Sequence, residues 1–118
     1  MKEPDVRDWL EDLERNLGLA VEFCATIDYT EFEADIRSQY AVIRALEVAG
    51  ESVKRLPDSI TFLEPAIPWK AIAGMRDRLI HGYDVVNLAL VWSTARTTIP
   101  GLLPLVAILK GKIERGGS

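Results

Sequence analysis

The stretch AVIRALEVAGESVKRL, residues 41–56, carries an apolar residue at nearly every turn of a helix. The apolar positions are Val42, Leu46, Ala49 and Val53. Intervals of three and four residues place such side chains on one face of an α-helix. Gly50 interrupts the pattern, and glycine in the middle of a helix costs about 1 kcal/mol relative to alanine. We therefore expect another helix to approach the chain closely at Gly50.

The helix that contains this stretch is predicted to cover residues 31–56. Thr30 and Glu33 fit a capping box, in which each side chain binds a backbone N–H near the start of a helix. Pro57 is expected to end the helix, because the residue before a proline disfavours the helical conformation. The preceding residues, 4–26, are predicted to form a first helix with an apolar stripe of their own.

Downstream of Pro57 the pattern predicts shorter helices. A connector covers residues 57–68 and contains three prolines. Helices are expected at 69–82, ending at Gly82, at 88–98, capped by Asn87, and at 100–113. We predict no strands, a single domain over residues 1–113 and a flexible tail at 114–118. The predicted fold class is all-α, an up-and-down bundle of roughly four to five helices.

The composition is that of an ordinary globular chain of 118 residues, with 48% hydrophobic and 27% charged residues. Cys24 is the only cysteine, so neither an intramolecular disulfide nor a cysteine-based metal site is possible. The charged N-terminal residues predict no signal peptide, and prolines interrupt the apolar run at 99–109. We expect a cytoplasmic protein without a membrane segment. The net charge of −4 argues against broad non-specific binding to nucleic acid.

The segment RDRLIHGY, residues 76–83, contains the only histidine of the chain, His81. On a regular helix, Arg76 shares one side with apolar residues, namely Trp69, Ile72, Leu79, Ile80 and Tyr83. An arginine in an apolar stripe is costly unless it is paired. Glu47 and Glu51 of the preceding helix are the candidate partners.

The opposite side of the same helix is polar. It carries Lys70, Gly74, Asp77, Arg78 and His81. Asp77 and His81 are four residues apart and can touch. Arg76 and His81 would lie about 140° apart on a regular helix. Either the helix distorts near Gly82, or another copy of the chain completes a site that needs both residues.

Each of these residues also has an ordinary structural interpretation. His81 could be a solvated residue at a helix end, and Arg76 could form an ion pair that only stabilises the bundle. Tyr83 could belong to the core with its hydroxyl at the surface, and Trp69 and Trp92 could be packing residues. On this interpretation the chain is a purely structural bundle.

The spacing Arg76-x4-His81-x-Tyr83 resembles the signature of HepT-like toxins, within the HEPN superfamily of helical ribonucleases. The flanking residues strengthen the resemblance. They are the Gly50-Glu51 pair in 41–56, the tryptophan-containing approach at 67–83, Val91-Trp92, and the run Ile99 to Leu102. The resemblance extends over nearly the whole chain and implies a HEPN-like helical bundle.

The resemblance also implies an activity and partners. Two chains would form a homodimer in which both motifs line one cleft, and the cleft would cleave RNA without a metal or cofactor. The partner would be a nucleotidyltransferase antitoxin that transfers AMP to Tyr83. The catalytic residues would be Arg76 and His81. The supporting residues would be Asp77, Arg78, Lys70 and Glu51, with Asp77 orienting His81 and the two cations forming a basic rim.

The expected chemistry fits these side chains. The 2′-hydroxyl of RNA attacks the adjacent phosphate, so one proton must leave this hydroxyl and another must reach the departing 5′ oxygen. Histidine changes charge near neutral pH and can carry such protons, while an arginine stabilises the charge on the phosphate. The alternative function is a catalytically silent helical dimer that binds a nucleotide or the nucleotidyltransferase partner.

Overall fold

The computed structural model describes residues 5–81 and 85–116. Within them the helices are α1 (Val6–Cys24), α2 (Tyr29–Ala34), α3 (Ile36–Arg55), α4 (Asp58–Thr61), α5 (Trp69–Ala73), α6 (Met75–Leu79), α7 (Leu88–Ser93), a π-helix (Thr94–Thr98) and α8 (Ile99–Gly116). Two short strands, β1 (Ile80–His81) and β2 (Val85–Val86), pair antiparallel. The predicted all-α class is confirmed, although the prediction of no strands is wrong for this one pair.

The core forms where α1 packs against α3 and α8. Asp5 starts α1 in a reciprocal capping box with Asp8. The buried apolar residues of the three helices are Leu10, Leu13, Leu17 and Ala20, then Val42, Leu46, Ala49 and Val53, and then Ile99, Val106 and Leu109. Burying one such leucine or valine contributes about 1.5–3 kcal/mol, so these stripes hold the fold together.

The predicted helix over 31–56 is interrupted at Asp35, which has extended backbone angles of φ −113° and ψ 99°. Its carboxylate accepts hydrogen bonds from the backbone N–H of Arg37, at 3.1 Å, and from the hydroxyl of Ser38, at 2.6 Å. Asp35 therefore ends α2 and caps α3. The hydrogen bond from Ser38 holds the pKa of Asp35 below its usual value.

The capping box predicted for Thr30 and Glu33 is wrong. The observed box lies two residues earlier, where the Asp28 carboxylate accepts from the backbone N–H of Glu31 at 2.8 Å. The Glu31 carboxylate accepts in return from the N–H of Asp28 at 3.3 Å. Aspartate forms this cap as well as serine or threonine does, so α2 begins at Tyr29.

The close approach expected at Gly50 is confirmed. A Cβ atom at this position would lie 3.0 Å from the carbonyl oxygen of Ile72 and 3.4 Å from that of Ala73. Both are backbone atoms of α5, so any side chain at residue 50 would push α5 away from α3. Gly50 thus sets the distance between α3 and the helix that leads to Arg76.

The C-terminal part is one long helical segment. Asn87 caps α7, as predicted, since its side chain accepts from the N–H of Leu90 at 3.0 Å. The predicted break near Pro100 is wrong. Ile99 has helical backbone angles, and Pro100 lies in the first turn of α8, where its missing N–H is tolerated. The helix continues to Gly116, three residues beyond the predicted end.

The π-helix is tied to the end of α1. Arg96 donates from Nη1 to the carbonyl oxygen of Cys24 at 3.2 Å. Its guanidinium also lies 5.4 Å from the ring centre of Trp92, within the range of a cation–π contact. Cys24 is buried, and this burial raises the pKa of its thiol.

Across the described parts of the chain, no helix is both long enough and apolar enough to cross a membrane.

Candidate functional site

The segment that leads to the predicted catalytic residues is not one regular helix. Gly74 separates α5 from α6, with backbone angles of φ −92° and ψ 6°. Its N–H still bonds to the carbonyl of Lys70 at 3.0 Å, and its carbonyl accepts from the N–H of Arg78 at 3.2 Å. The backbone therefore departs from regular helical angles at Gly74 while these hydrogen bonds persist. The predicted uninterrupted helix over 69–82 is wrong, because α6 also ends at Leu79.

Arg76 is exposed. The prediction from a regular helical wheel, which placed it within an apolar stripe, is therefore wrong. The side chain of Arg76 is 63% exposed, whereas Ile72, Met75 and Leu79 occupy the buried face. Nε of Arg76 donates to Oε2 of Glu47 on α3 at 3.2 Å. The predicted pairing with Glu47 is thus confirmed, and the alternative with Glu51 is not observed.

The ion pair between Arg76 and Glu47 orients the guanidinium more than it stabilises the fold. Exposed pairs of this kind contribute about 0–1 kcal/mol. Glu47 is 28% exposed and belongs to the 20-residue helix α3, and its carboxylate accepts from one edge of the guanidinium. The two Nη groups make no hydrogen bond with the described residues. They form the planar, two-pronged donor that fits a phosphate group.

The predicted supporting residues occupy different positions around Arg76. Lys70, Asp77 and Arg78 are exposed. Arg78 donates from Nη2 to the carbonyl oxygen of Ala71 at 3.0 Å, so it links α6 back to α5 across Gly74. Glu51 is exposed and lies 3.5 Å from Nζ of Lys54. Their roles in catalysis stay predictions.

The backbone of His81 is in β1, where it pairs with Val85. The helix therefore ends before His81, so the angle of about 140° from Arg76 on a regular helix does not apply. The distortion considered for Gly82 begins already at Ile80. The imidazole of His81 and the whole of Tyr83 lie outside the described residues. The contact between Asp77 and His81, and the modification of Tyr83, stay predictions.

Charge is distributed unevenly along the chain, a feature that the net charge conceals. Residues 5–35 carry ten acidic and two basic side chains. The other described residues, 36–81 and 85–116, carry six acidic and eleven basic side chains. The part of the chain that includes Arg76 therefore carries a basic surplus along the sequence, whereas α1, which packs against α3, is acidic.

Two clefts open on the sides of α3. The larger, about 640 Å³, lies between α3, α4 and α5 and is mostly apolar, with Phe62, Trp69 and Lys70 in its walls. The smaller, about 480 Å³, lies between α1 and α3. Its lining is Trp9, Asp12, Arg44, Val48, Glu51, Ser52 and Arg55.

Within the described residues, no three or more side chains of the metal-ligating types come together.

The second cleft contains Trp9, Arg44 and Arg55, which the sequence analysis did not identify as a site. Trp9 is more than thirty residues away from the arginines in sequence, so only the packing of α1 on α3 brings them together. The signal in the sequence that could have pointed to this cleft is the change from mostly acidic to mostly basic side chains after residue 35.

Comparison with known proteins assigns this chain to a class of ribonucleases. The model of the family described as ribonuclease HepT-like matches residues 13–108. The chain therefore belongs to the HepT-like ribonuclease family. The resemblance drawn from the motif and the prediction of a ribonuclease are both confirmed.

Similar proteins occur in several organisms. The chain is 41% identical over 109 residues to "Probable ribonuclease HepT" of Thermococcus cleftensis, covering 92% of this chain and 93% of that protein. It is 43% identical over 100 residues to "Putative RNase MJ0125" of Methanocaldococcus jannaschii, covering 85% and 86%. It is 39% identical over 102 residues to "Putative RNase TTE0752" of Caldanaerobacter subterraneus, covering 86% and 89%. No solved structure matches the chain.

Proposed function

We propose that the chain is a metal-independent endoribonuclease toxin that cleaves RNA with Arg76 and His81. The observation that carries this proposal is the exposed guanidinium of Arg76, bound through Nε to Glu47 at 3.2 Å. Held at this edge, the guanidinium presents its two Nη groups to a ligand. A phosphodiester fits these donors, and the added negative charge of its transition state strengthens the interaction.

The cleavage reaction follows from the chemistry of RNA. The 2′-hydroxyl attacks the adjacent phosphorus, the bond from phosphorus to the 5′ oxygen breaks, and a 2′,3′-cyclic phosphate forms. One imidazole takes the proton of the 2′-hydroxyl, and a second, protonated imidazole gives a proton to the 5′ oxygen. We assign these roles to two copies of His81. Asp77 would orient His81, and Lys70 and Arg78 would attract the RNA chain.

Two copies of His81 require a homodimer, and the surface of α3 supports one. Ile36 and Tyr40 are 62% and 70% exposed. They lie one turn apart, and Glu47 follows on the same side of the helix at helical spacing. An apolar patch next to a polar site is typical of a protein interface. A second copy that covers this patch would bring its own motif close to the first.

The proposed partner is a nucleotidyltransferase antitoxin that adenylylates Tyr83. AMP on Tyr83 would place a bulky, negatively charged group two residues from His81. The group would block the cleft and compete with RNA for Arg76. The support for this regulation is the motif itself, since Tyr83 follows His81 at the spacing of the family signature.

The test is cleavage of RNA by the purified chain with a chelator present. The parent, His81→Ala and Arg76→Ala are compared with Arg115→Gln, an exposed charge change at the end of α8. We expect cleavage by the parent and by Arg115→Gln, with cyclic phosphate ends, and a loss of at least about 100-fold in the other two. Equal cleavage by His81→Ala would refute the mechanism. No cleavage by a parent with unmodified Tyr83 would instead favour the silent nucleotide-binding dimer.

A further inference from the structure

The cleft between α1 and α3 has the size of a ligand site. Its volume of about 480 Å³ lies within the range of pockets that hold small organic molecules. Trp9 forms one wall and is partly buried, whereas Arg44 and Arg55 are exposed at its edge. Nothing in the proposed reaction uses these three residues, and packing alone does not require two arginines beside a tryptophan.

The donors of this cleft are available to a ligand. Within the described part of the chain, the Trp9 indole N–H donates no hydrogen bond, and neither Arg44 nor Arg55 forms an ion pair. Asp12 and Glu51 add carboxylates that can accept from amino groups. An aromatic face, arginines and a few acceptors are the combination by which proteins bind the bases and phosphates of single-stranded RNA.

The cleft also has the right position relative to Arg76. Glu47, which binds Arg76, lies one helical turn from Arg44 in one direction and one turn from Glu51 in the other. Arg44 and Arg55 are separated along α3 by eleven residues, or about 16 Å. A strand with its reacting phosphate at Arg76 can therefore continue along α3 into the cleft.

We infer that the cleft formed by Trp9, Arg44 and Arg55 binds a nucleotide of single-stranded RNA next to the phosphate that is cleaved. The base stacks on Trp9, and the two arginines bind flanking phosphates. The cleft would thereby select unpaired RNA, since a base in a duplex is not free to stack on a side chain. This inference rests on the proposed function, because it assumes that the substrate of Arg76 is RNA.

The experiment measures binding separately from cleavage. The probe is a fluorescent single-stranded 2′-O-methyl oligonucleotide, which lacks the attacking hydroxyl, and its anisotropy is followed over a range of salt concentrations. The variants are Trp9→Leu, Trp9→Phe and the double variant Arg44→Gln/Arg55→Gln, with Arg115→Gln as the matched charge control. Thermal unfolding of each variant is measured to check that the fold is kept.

We expect Trp9→Leu to weaken binding about tenfold, and Trp9→Phe to restore most of it, because stacking needs an aromatic ring. The double arginine variant should reduce the slope of log K against log salt by about 1.4, since each phosphate contact on a single strand contributes about 0.7. Arg115→Gln should leave that slope nearly unchanged.

Three outcomes would overturn the inference. One is parental affinity in both Trp9→Leu and the double variant, and another is no binding of the oligonucleotide by the parent. The third is competition by free AMP at the same concentration as the oligonucleotide, which would identify a site for a free nucleotide. The cleavage assay with ordinary RNA is independent of these results. His81-dependent cleavage combined with any of the three would leave the ribonuclease proposal intact and refute only the binding of RNA by the cleft.

Discussion

Replacing Gly50 with alanine tests the contact that positions the segment carrying Arg76. The new Cβ would lie 3.0 Å from the carbonyl oxygen of Ile72, closer than an ordinary van der Waals contact. That oxygen belongs to the backbone of α5, so it can give way only if α5 moves. Overpacking of this kind costs about 1–3 kcal/mol. The higher helix propensity of alanine offsets about 1 kcal/mol of that cost.

The expected net result is a loss of about 1 kcal/mol in the free energy of unfolding, which lowers Tm by about 4 °C in a domain of this size. Gly18→Ala is the matched control, because Gly18 is also inside a helix and a Cβ there meets nothing within 4 Å. This control should raise Tm by a similar amount, since only the propensity term remains. The two substitutions should therefore change Tm in opposite directions.

The same substitution should lower RNA cleavage. A displaced α5 moves Arg76 relative to Glu47, and small errors in position are costly for catalysis, so we expect a loss of about tenfold. Thermal unfolding and initial cleavage rates, measured for both glycine variants, check the reasoning. If Gly50→Ala raised Tm as Gly18→Ala does and cleaved RNA at the parental rate, the close approach of α5 would not constrain the site.

Three further predictions concern single residues. Glu47→Gln should lower the cleavage rate several-fold while changing Tm by less than about 2 °C, because the exposed pair with Arg76 orients more than it stabilises; a large fall in Tm with full activity would contradict this. The pKa of Asp35 is lowered mainly by the hydrogen bond from Ser38. The ionised carboxylate therefore stabilises the folded state above the usual aspartate pKa, and this stabilisation is lost as pH falls through the lower folded-state pKa. Asp35→Asn should therefore flatten the decline of Tm below about pH 4, and an unchanged decline would count against this cap. Tyr83→Phe should prevent the mass increase of one AMP upon incubation with ATP and the nucleotidyltransferase; modification that persists would place the acceptor elsewhere.

Local patterns predicted much of the fold. The apolar spacing of α1 and α3 identified their buried faces, because residues three and four apart lie on one face of a regular helix. The absence of a side chain at Gly50 correctly indicated a close neighbour. The errors arose where a local signal competed with another. Asp35 prefers to cap the next helix and so divided the predicted one, and Pro100 fits a first helical turn and so marked no break.

The candidate site was predicted less completely than the fold. The motif predicts Arg76 and His81 as catalytic residues, and their roles stay predictions. The sequence left Glu47 and Glu51 as possible partners of Arg76, and the structure shows the pair with Glu47. The exposure of Arg76 was wrongly predicted, because the buried face is centred on Ile72, Met75 and Leu79 and Arg76 lies at its margin. The cleft of Trp9, Arg44 and Arg55 could not be found from spacing, since it depends on how α1 packs against α3.

The π-helix at Thr94–Thr98 also determines where the length of this chain can vary. In a π-helical turn the backbone hydrogen bond joins residues five apart, so the turn contains one residue more than an α-helical turn. The helix from Leu88 to Gly116 therefore contains one surplus residue. Loss of the exposed Thr97 would convert this turn to an α-helical one and leave the buried face of α8 in register. The same loss within α8 would rotate every following side chain by about 100° and expose Val106 or Leu109. Insertions and deletions among homologous chains are therefore expected to collect at this single turn.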